Sequence, residues 1–186
     1  DSPYSASKAA SDHLVLAWHH SYGIPTKITN CSNNYGPYQF PEKLIPLTII
    51  KCLNFENIPI YGNGLQVRDW LHAEDHIDAI IRVIEKGSIG KTYCIGGFGE
   101  KNNLDVVKTI CSHFDQISPN KKPYSELINF VKDRPGHDKR YSINSSIIQK
   151  ELNWSPKYNF KDGIFETISW YINNQDWIFK VMQRSN

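Results

Sequence analysis

The chain has 186 residues, 40% of them apolar and 12% aromatic, and a formal net charge of +2. That much apolar surface supports a packed core and one domain, or one and a half, and excludes a disordered chain. Acidic and basic residues alternate along it, which excludes a field suited to nucleic acid, so an anionic ligand has to be met by a local site.

The first element carries the first chemical signal. Pro3 suits an opening helical turn, Asp1 or Ser2 would cap it, and apolar residues recur from Ala6 to Trp18 before Gly23-Ile24-Pro25. A helix is therefore predicted from about Pro3 to Tyr22. Tyr4 and Lys8 stand at i and i+4 on one face of it. A neighbouring cation stabilises a phenolate and so favours a tyrosine as a base. The same spacing also fits an exposed tyrosine beside a solvated lysine.

Thr26 to Cys31 reads as a strand and Ser32-Asn33-Asn34-Tyr35-Gly36-Pro37 as a polar turn. Lys43 to Leu53 reads as a buried helix, and the run from Leu44 to Ile50, broken by Pro46, is too short to span a bilayer. Strands at Ile58 to Tyr61 and Val67 to Leu71 flank Gly62-Asn63-Gly64, which predicts a hairpin. Ala73 to Lys86 has helical apolar spacing through Ile77, Ile80, Ile81 and Ile84. Asp69, Glu74 and Asp75 suit capping of that helix. A strand at Thr92 to Ile95 and a helix at Leu104 to Phe114 follow.

The last third holds a linker at Lys121 to Tyr124, strands at Leu127 to Val131 and Arg140 to Ile143, and between them a charged loop, Asp133-Arg134-Pro135-Gly136-His137-Asp138. Helices are expected near Ser145 to Leu152 and Phe160 to Asn173. Alternating strands and helices give an α/β class with a mostly parallel sheet. Cys31, Cys52, Cys94 and Cys111 have no metal or disulfide spacing and read as reduced, packed thiols. His72 and His76 lack a third ligand, so no metal is assigned.

Four segments together carry a resemblance: Tyr4-Ser5-Ala6-Ser7-Lys8-Ala9; Ser32 through Pro46; Arg68-Asp69-Trp70-Leu71-His72; and the Asp133 to Asp138 loop. In this order they resemble the extended short-chain dehydrogenase/reductase family, and within it the dTDP-glucose 4,6-dehydratases. Related nucleotide-sugar epimerases and decarboxylases share the first and third segments and remain an alternative, as does a non-catalytic nucleotide-sugar-binding fragment. The family's G-x-x-G-x-x-G cofactor fingerprint and its Thr-Asp-Glu acid and base are not in this sequence. Gly96-Gly97-Phe98-Gly99 follows a strand but has the wrong spacing and reads as a turn or a substrate-side loop.

The resemblance implies the C-terminal part of a Rossmann-type parallel sheet plus a smaller α/β substrate-binding domain. Residues 1–35 would be a remnant of the NAD-binding domain and 36–186 mainly the nucleotide-sugar domain, with 73–97 returning to the Rossmann sheet. It implies NAD as cofactor, dTDP-glucose as substrate, a homodimer in the full-length enzyme, no nucleic-acid or membrane partner, and a cytoplasmic location. Tyr4 would be the base, with Lys8 holding the cofactor and Asn34 on the cofactor side. Substrate contacts would come from Asn33, Lys43, Leu44, Pro59, Tyr61, Arg68, Asn103, Arg134 and His137. Each has a plainer reading: turn formation for the two amides, packing for Tyr61, a surface or ion-pair role for the arginines.

Overall fold

A computed structural model describes residues 2–183. Helix α1 spans Pro3–Tyr22; Ser2 caps it by accepting from the Ser5 N–H at 3.1 Å, and Gly23 ends it in the left-handed region. Asp1, the other expected cap, lies outside the described residues. The expected helices appear as α2 (Leu44–Leu53), α3 (Ala73–Lys86), α4 (Asn103–Ile117), α5 (Ser146–Leu152) and α6 (Phe160–Asn173). A further helix, α7 (Gln175–Gln183), follows α6 directly. Pro46 stands in the first turn of α2, where its missing N–H costs no helical bond.

The strands are β1 (Ile28–Cys31), β2 (Asn33–Tyr35), β3 (Ile58–Tyr61), β4 (Val67–His72), β5 (Thr92–Ile95), β6 (Glu100–Asn102), β7 (Ile128–Val131) and β8 (Arg140–Tyr141). β1 pairs in parallel with β5, and β3 with β7. β4 pairs in parallel with β2 and β8 and antiparallel with β6. The chain is thus α/β with parallel pairing predominant.

Two local expectations fail. β3 and β4 form no hairpin. Gly62 and Gly64 both take positive φ, and the Asn63 side chain accepts from the Leu65 N–H, so the turn swings β4 away from β3 towards β2. The polar segment after β1 holds a strand, β2, because its backbone is claimed by Trp70 to His72 whatever its side chains prefer.

Two clusters form the core. One joins Tyr35, Ile45, Ile49, Ile60 and Trp70 to the inner faces of α4 and α6; the other joins Leu71, Ala79, Tyr93 and Ile95 to Ile148 and Trp154. In α3 the buried apolar residues are Ala79 and Val83, while Ile77, Ile81 and Ile84 are exposed. The helix has two apolar stripes, and the sheet takes the smaller side chains. None of the residues of α1 is buried, and Leu14, Trp18 and Tyr22 are exposed.

The three acidic residues expected to cap α3 do other work. His72 occupies the cap position. Asp75, though in the first turn of α3, accepts from the Lys157 and Tyr158 N–H groups at 2.9 and 3.0 Å, and Glu74 accepts from the Tyr158 hydroxyl at 2.8 Å. Asp69, 2% exposed, accepts from the Gly97 and Gly99 N–H groups, each at 2.9 Å. A Cβ on Gly97 would lie 2.0 Å from the Trp70 carbonyl oxygen. Gly97→Ala should therefore destabilise the chain by about 3 kcal/mol or more, because backbone opposes the new atom. Asp69→Ala should cost about 2 to 3 kcal/mol by stranding two donors. Urea unfolding of each variant checks both, and unchanged midpoints would contradict this packing.

Candidate nucleotide-sugar site

Strands β3 and β4 and the Asp133 to Asp138 loop meet the start of α2 around a cavity of about 420 Å³. Asn33, Lys43, Leu44, Pro59, Tyr61, Arg68, Asn103, Arg134 and His137 all line it. The nine positions singled out on the substrate side thus converge on one cavity from β2, α2, β3, β4, α4 and the charged loop. Gln39, Glu42 and Trp70 also line it. Glu42 and Gln39 lie in the long segment before α2, and Trp70 lies inside the Arg-Asp-Trp-Leu-His segment. None of the three stands out by residue type alone.

The electrostatics favour an anion. Arg68 is 8% exposed, and its one hydrogen bond among the described residues runs from Nη1 to the neighbouring Val67 carbonyl at 2.7 Å. No carboxylate among the described residues lies within ion-pair distance of it. Burial pushes its guanidinium pKa down, opposed by the charge of Asp138. A buried cation without a contacting counter-ion is costly, and an incoming anion removes that cost. Arg134 and Lys43 add positive charge at the rim, and Lys43 also touches Glu42 at 2.6 Å. At the start of α2 no side chain caps the helix, which leaves its first N–H groups for a ligand.

One wall is braced from behind. The Tyr171 hydroxyl donates to the Gln39 carbonyl at 2.5 Å, and Gln39 Nε2 donates to the Asn34 carbonyl at 2.9 Å. Asn34 Nδ2 donates to the Ser32 carbonyl at 2.9 Å, so its Oδ1 accepts from His76 Nδ1 at 2.7 Å. Tyr38, at φ 63°, packs between Trp170 and Trp177 with centroid separations of 4.4 and 5.5 Å.

The Tyr4 and Lys8 pair lies elsewhere. Both are exposed on α1, Tyr4 by 73%, and neither lines the cavity. Tyr4 is close enough to β8 to act on Tyr141, whose phenol is pushed up first by burial and then by Cys31, Cys94, Asp138 and Tyr4. The N–H groups of Gly97 and Gly99 are occupied by Asp69, so that glycine run offers no phosphate cradle.

A family model described as GDP-mannose 4,6 dehydratase matches residues 1–167. The chain belongs to this family. It is 56% identical over 180 residues to a dTDP-glucose 4,6-dehydratase of Shigella flexneri, covering 97% of this chain and 50% of that protein. It is 55% identical over 187 residues to one of Xanthomonas campestris, covering 100% and 53%. Among solved structures, Bacillus anthracis dTDP-glucose 4,6-dehydratase in complex with NAD superposes with a TM-score of 0.88 at 46% identity, over 97% of this chain and 55% of that one. DesIV, the dTDP-glucose 4,6-dehydratase of Streptomyces venezuelae with NAD and TYD bound, gives 0.89 at 40% identity, over 96% and 53%. The chain spans about half the length of the curated relatives it matches.

Burial lowers the imidazole pKa of His72, His76 and His113 from its ordinary value of 6.5. The unfolded chain then binds protons below that value which the native chain refuses, so stability is full above pH 6.5 and falls as pH drops towards the lowered values. Urea midpoints should be lower at about pH 5.5 than at about pH 7.5. His76→Gln, which keeps a donor for Asn34, should shrink that difference; an equal drop would count against this assignment.

Proposed function

We propose that this chain is the part of an NAD-dependent dTDP-glucose 4,6-dehydratase that holds the nucleotide sugar and carries its tyrosine base. The observation that carries the reading is the cavity lined by the buried Arg68, which no carboxylate among the described residues contacts, together with Arg134, Lys43 and the uncapped start of α2. Guanidinium forks at Arg68 and Arg134 suit the oxygens of a diphosphate. Pro59 and Tyr61 would border the thymine, while Asn33 and Asn103 offer donors and acceptors to the sugar. Residues 36–186 then form mainly the nucleotide-sugar domain, and 73–97, which ends in the β5 ladder against β1, belongs with the Rossmann part formed by 1–35.

On this reading water leaves the sugar to give the 4-keto-6-deoxy product. Bound NAD supplies a hydride acceptor. Tyr4 takes the proton of the 4-hydroxyl, and Lys8, one turn on, stabilises the phenolate and holds the cofactor's ribose. The exposure of Tyr4 and Lys8 on a shared face leaves both free for such contacts. Asn34, whose amide is held by His76 and Ser32, would stand on the cofactor side. The free cysteines fit a cytoplasmic enzyme, and no helix among the described residues is long and apolar enough to cross a membrane. The exposed Leu14, Trp18 and Tyr22 of α1 support packing against a second copy in a homodimer.

Calorimetry on the chain itself should detect dTDP. Arg68→Met should weaken that binding by roughly 30-fold or more while leaving the urea midpoint unchanged or higher, because it removes a buried cation that no carboxylate touches. Binding that survives Arg68→Met undiminished would reject the anion role. For the reaction, a chimera in which this chain replaces the matching half of the Shigella relative should form the 4-keto-6-deoxy product from dTDP-glucose. Tyr4→Phe in the chimera should lower turnover by about 100-fold or more. A folded chimera that turns over a UDP-sugar and leaves dTDP-glucose untouched would reject the dehydratase reading.

A further inference from the structure

The charged loop and the β3–β4 turn meet at one carboxylate. Asp133 Oδ1 accepts from His137 Nδ1 at 2.7 Å and from the Arg134 N–H at 2.9 Å, while Oδ2 accepts from Gln66 Nε2 at 3.0 Å. Gln66 is itself buried, and a Cβ on Gly62 would lie 2.7 Å from Asp133 Oδ2, so the turn closes tightly over the carboxylate. The His137 hydrogen bond, more than any other contact, holds the Asp133 carboxyl below its usual range.

The His137 side chain is 6% exposed and lines the cavity. With Nδ1 committed to Asp133, Nε2 is the nitrogen left for a ligand, and no group among the described residues bonds to it. In the neutral ring whose proton sits on Nδ1, Nε2 is a lone pair and repels a phosphate oxygen. In the imidazolium it is a donor.

We propose that Asp133 is a positioning residue that makes His137 a proton-dependent anion ligand: when the diphosphate of a nucleotide sugar enters, the ring takes one proton from solvent at Nε2 and donates it to a phosphate oxygen. Asp133 and the diphosphate then flank one imidazolium, each accepting one of its two N–H bonds. This rests on the reading that the cavity takes a nucleotide sugar. The other charged or titratable groups lining the cavity with the ring are Glu42 and Lys43 at the start of α2, Tyr61 on β3, Arg68 on β4 and Arg134 in the loop, and the charge of Asp138 also acts on Arg68. Lys43, Arg68 and Arg134 oppose a further positive charge while the cavity is empty, and an entering diphosphate offsets that repulsion.

Nitrogen NMR on the free chain, with His137 assigned by substitution, should show the neutral ring protonated at Nδ1. The opposite tautomer would overturn the geometry without any ligand. Calorimetry should then use dTDP-glucose, whose diphosphate diester has no proton to exchange here, unlike the terminal phosphate of dTDP. In two buffers of different ionisation enthalpy at about pH 8, binding should take up close to one proton, and affinity should fall by up to about tenfold per pH unit. Asp133→Asn, which keeps an acceptor for Nδ1 but no charge, should reduce the uptake and weaken binding by about tenfold near neutral pH. His137→Gln should abolish the uptake. Binding with no proton uptake and equal affinity at about pH 6 and 8.5 would overturn the inference and leave the nucleotide-sugar reading standing. Unchanged uptake in Asp133→Asn would reject the role of Asp133 alone. Absence of any dTDP-glucose binding by the folded chain would overturn the nucleotide-sugar reading and this inference with it.

Discussion

Asp69 is a carboxylate with almost no water to solvate it, and two backbone N–H groups take the place of that water. The consequence is structural. The bonds to Gly97 and Gly99 draw the chain after β5 across β4 so closely that only glycine fits against the Trp70 carbonyl. That crossing brings β6 alongside β4 and sets Asn102 to cap α4 through the Asp105 N–H at 2.8 Å. Asn103, the first residue of α4, thereby arrives at the cavity wall. On the opposite edge of β4, β2 delivers Asn33 and Asn34 in register with Trp70 and Leu71. One buried charge thus governs how the α4 wall reaches the site, opposite the wall that β2 builds on the same strand, and its value lies in direction as much as in energy.

The cavity uses charge differently. Asp69 is satisfied by fixed donors and takes no part in lining the site, whereas Arg68, its neighbour on the strand, faces the other way and keeps its cost open. Alternation along β4 separates the two: one residue stabilises the fold and the next is held in readiness for a ligand. Asp75 repeats the structural use at the head of α3, tying down the segment before α6. This is why acidic residues that read as helix caps turn out to be long-range tethers. The partners of Asp69 and Asp75 lie far along the chain, where no local pattern reveals them.

Much else was legible because it is local. α1, α3 and α6 announce themselves by Pro3, by apolar spacing and by terminal Gly or Asn residues, and the structure ends them close to the expected positions. β2 and β6 did not, since Asn33-Asn34 and Glu100-Lys101-Asn102 carry none of the branched apolar residues that mark a strand; neighbouring backbone alone makes them strands. α7 hides behind Asn173-Asn174, which read as the end of the helical region. The convergence of nine candidate residues on one cavity was legible only through the resemblance of whole segments. Gln39 was missed because its place in the wall depends on Tyr171, a residue of α6 that bears no chemical signal by itself.

The ladder connections carry a kinetic consequence. No strand among the described residues finds its partner through a tight turn: β1 at Ile28 waits for Thr92, β3 at Ile58 for Ile128, and β4 at Val67 for both Asn102 and Arg140. Loop-closure entropy must be met before any of these ladders contributes a hydrogen bond. The helices can form early, but the sheet cannot guide its own assembly from a local nucleus, so collapse of the two apolar clusters has to precede strand register. A folding route dominated by such distant pairings is slow and leaves strand edges unpaired for long intervals. The sequence distance of these pairings thus limits how fast the chain folds, separately from how stable the folded state is.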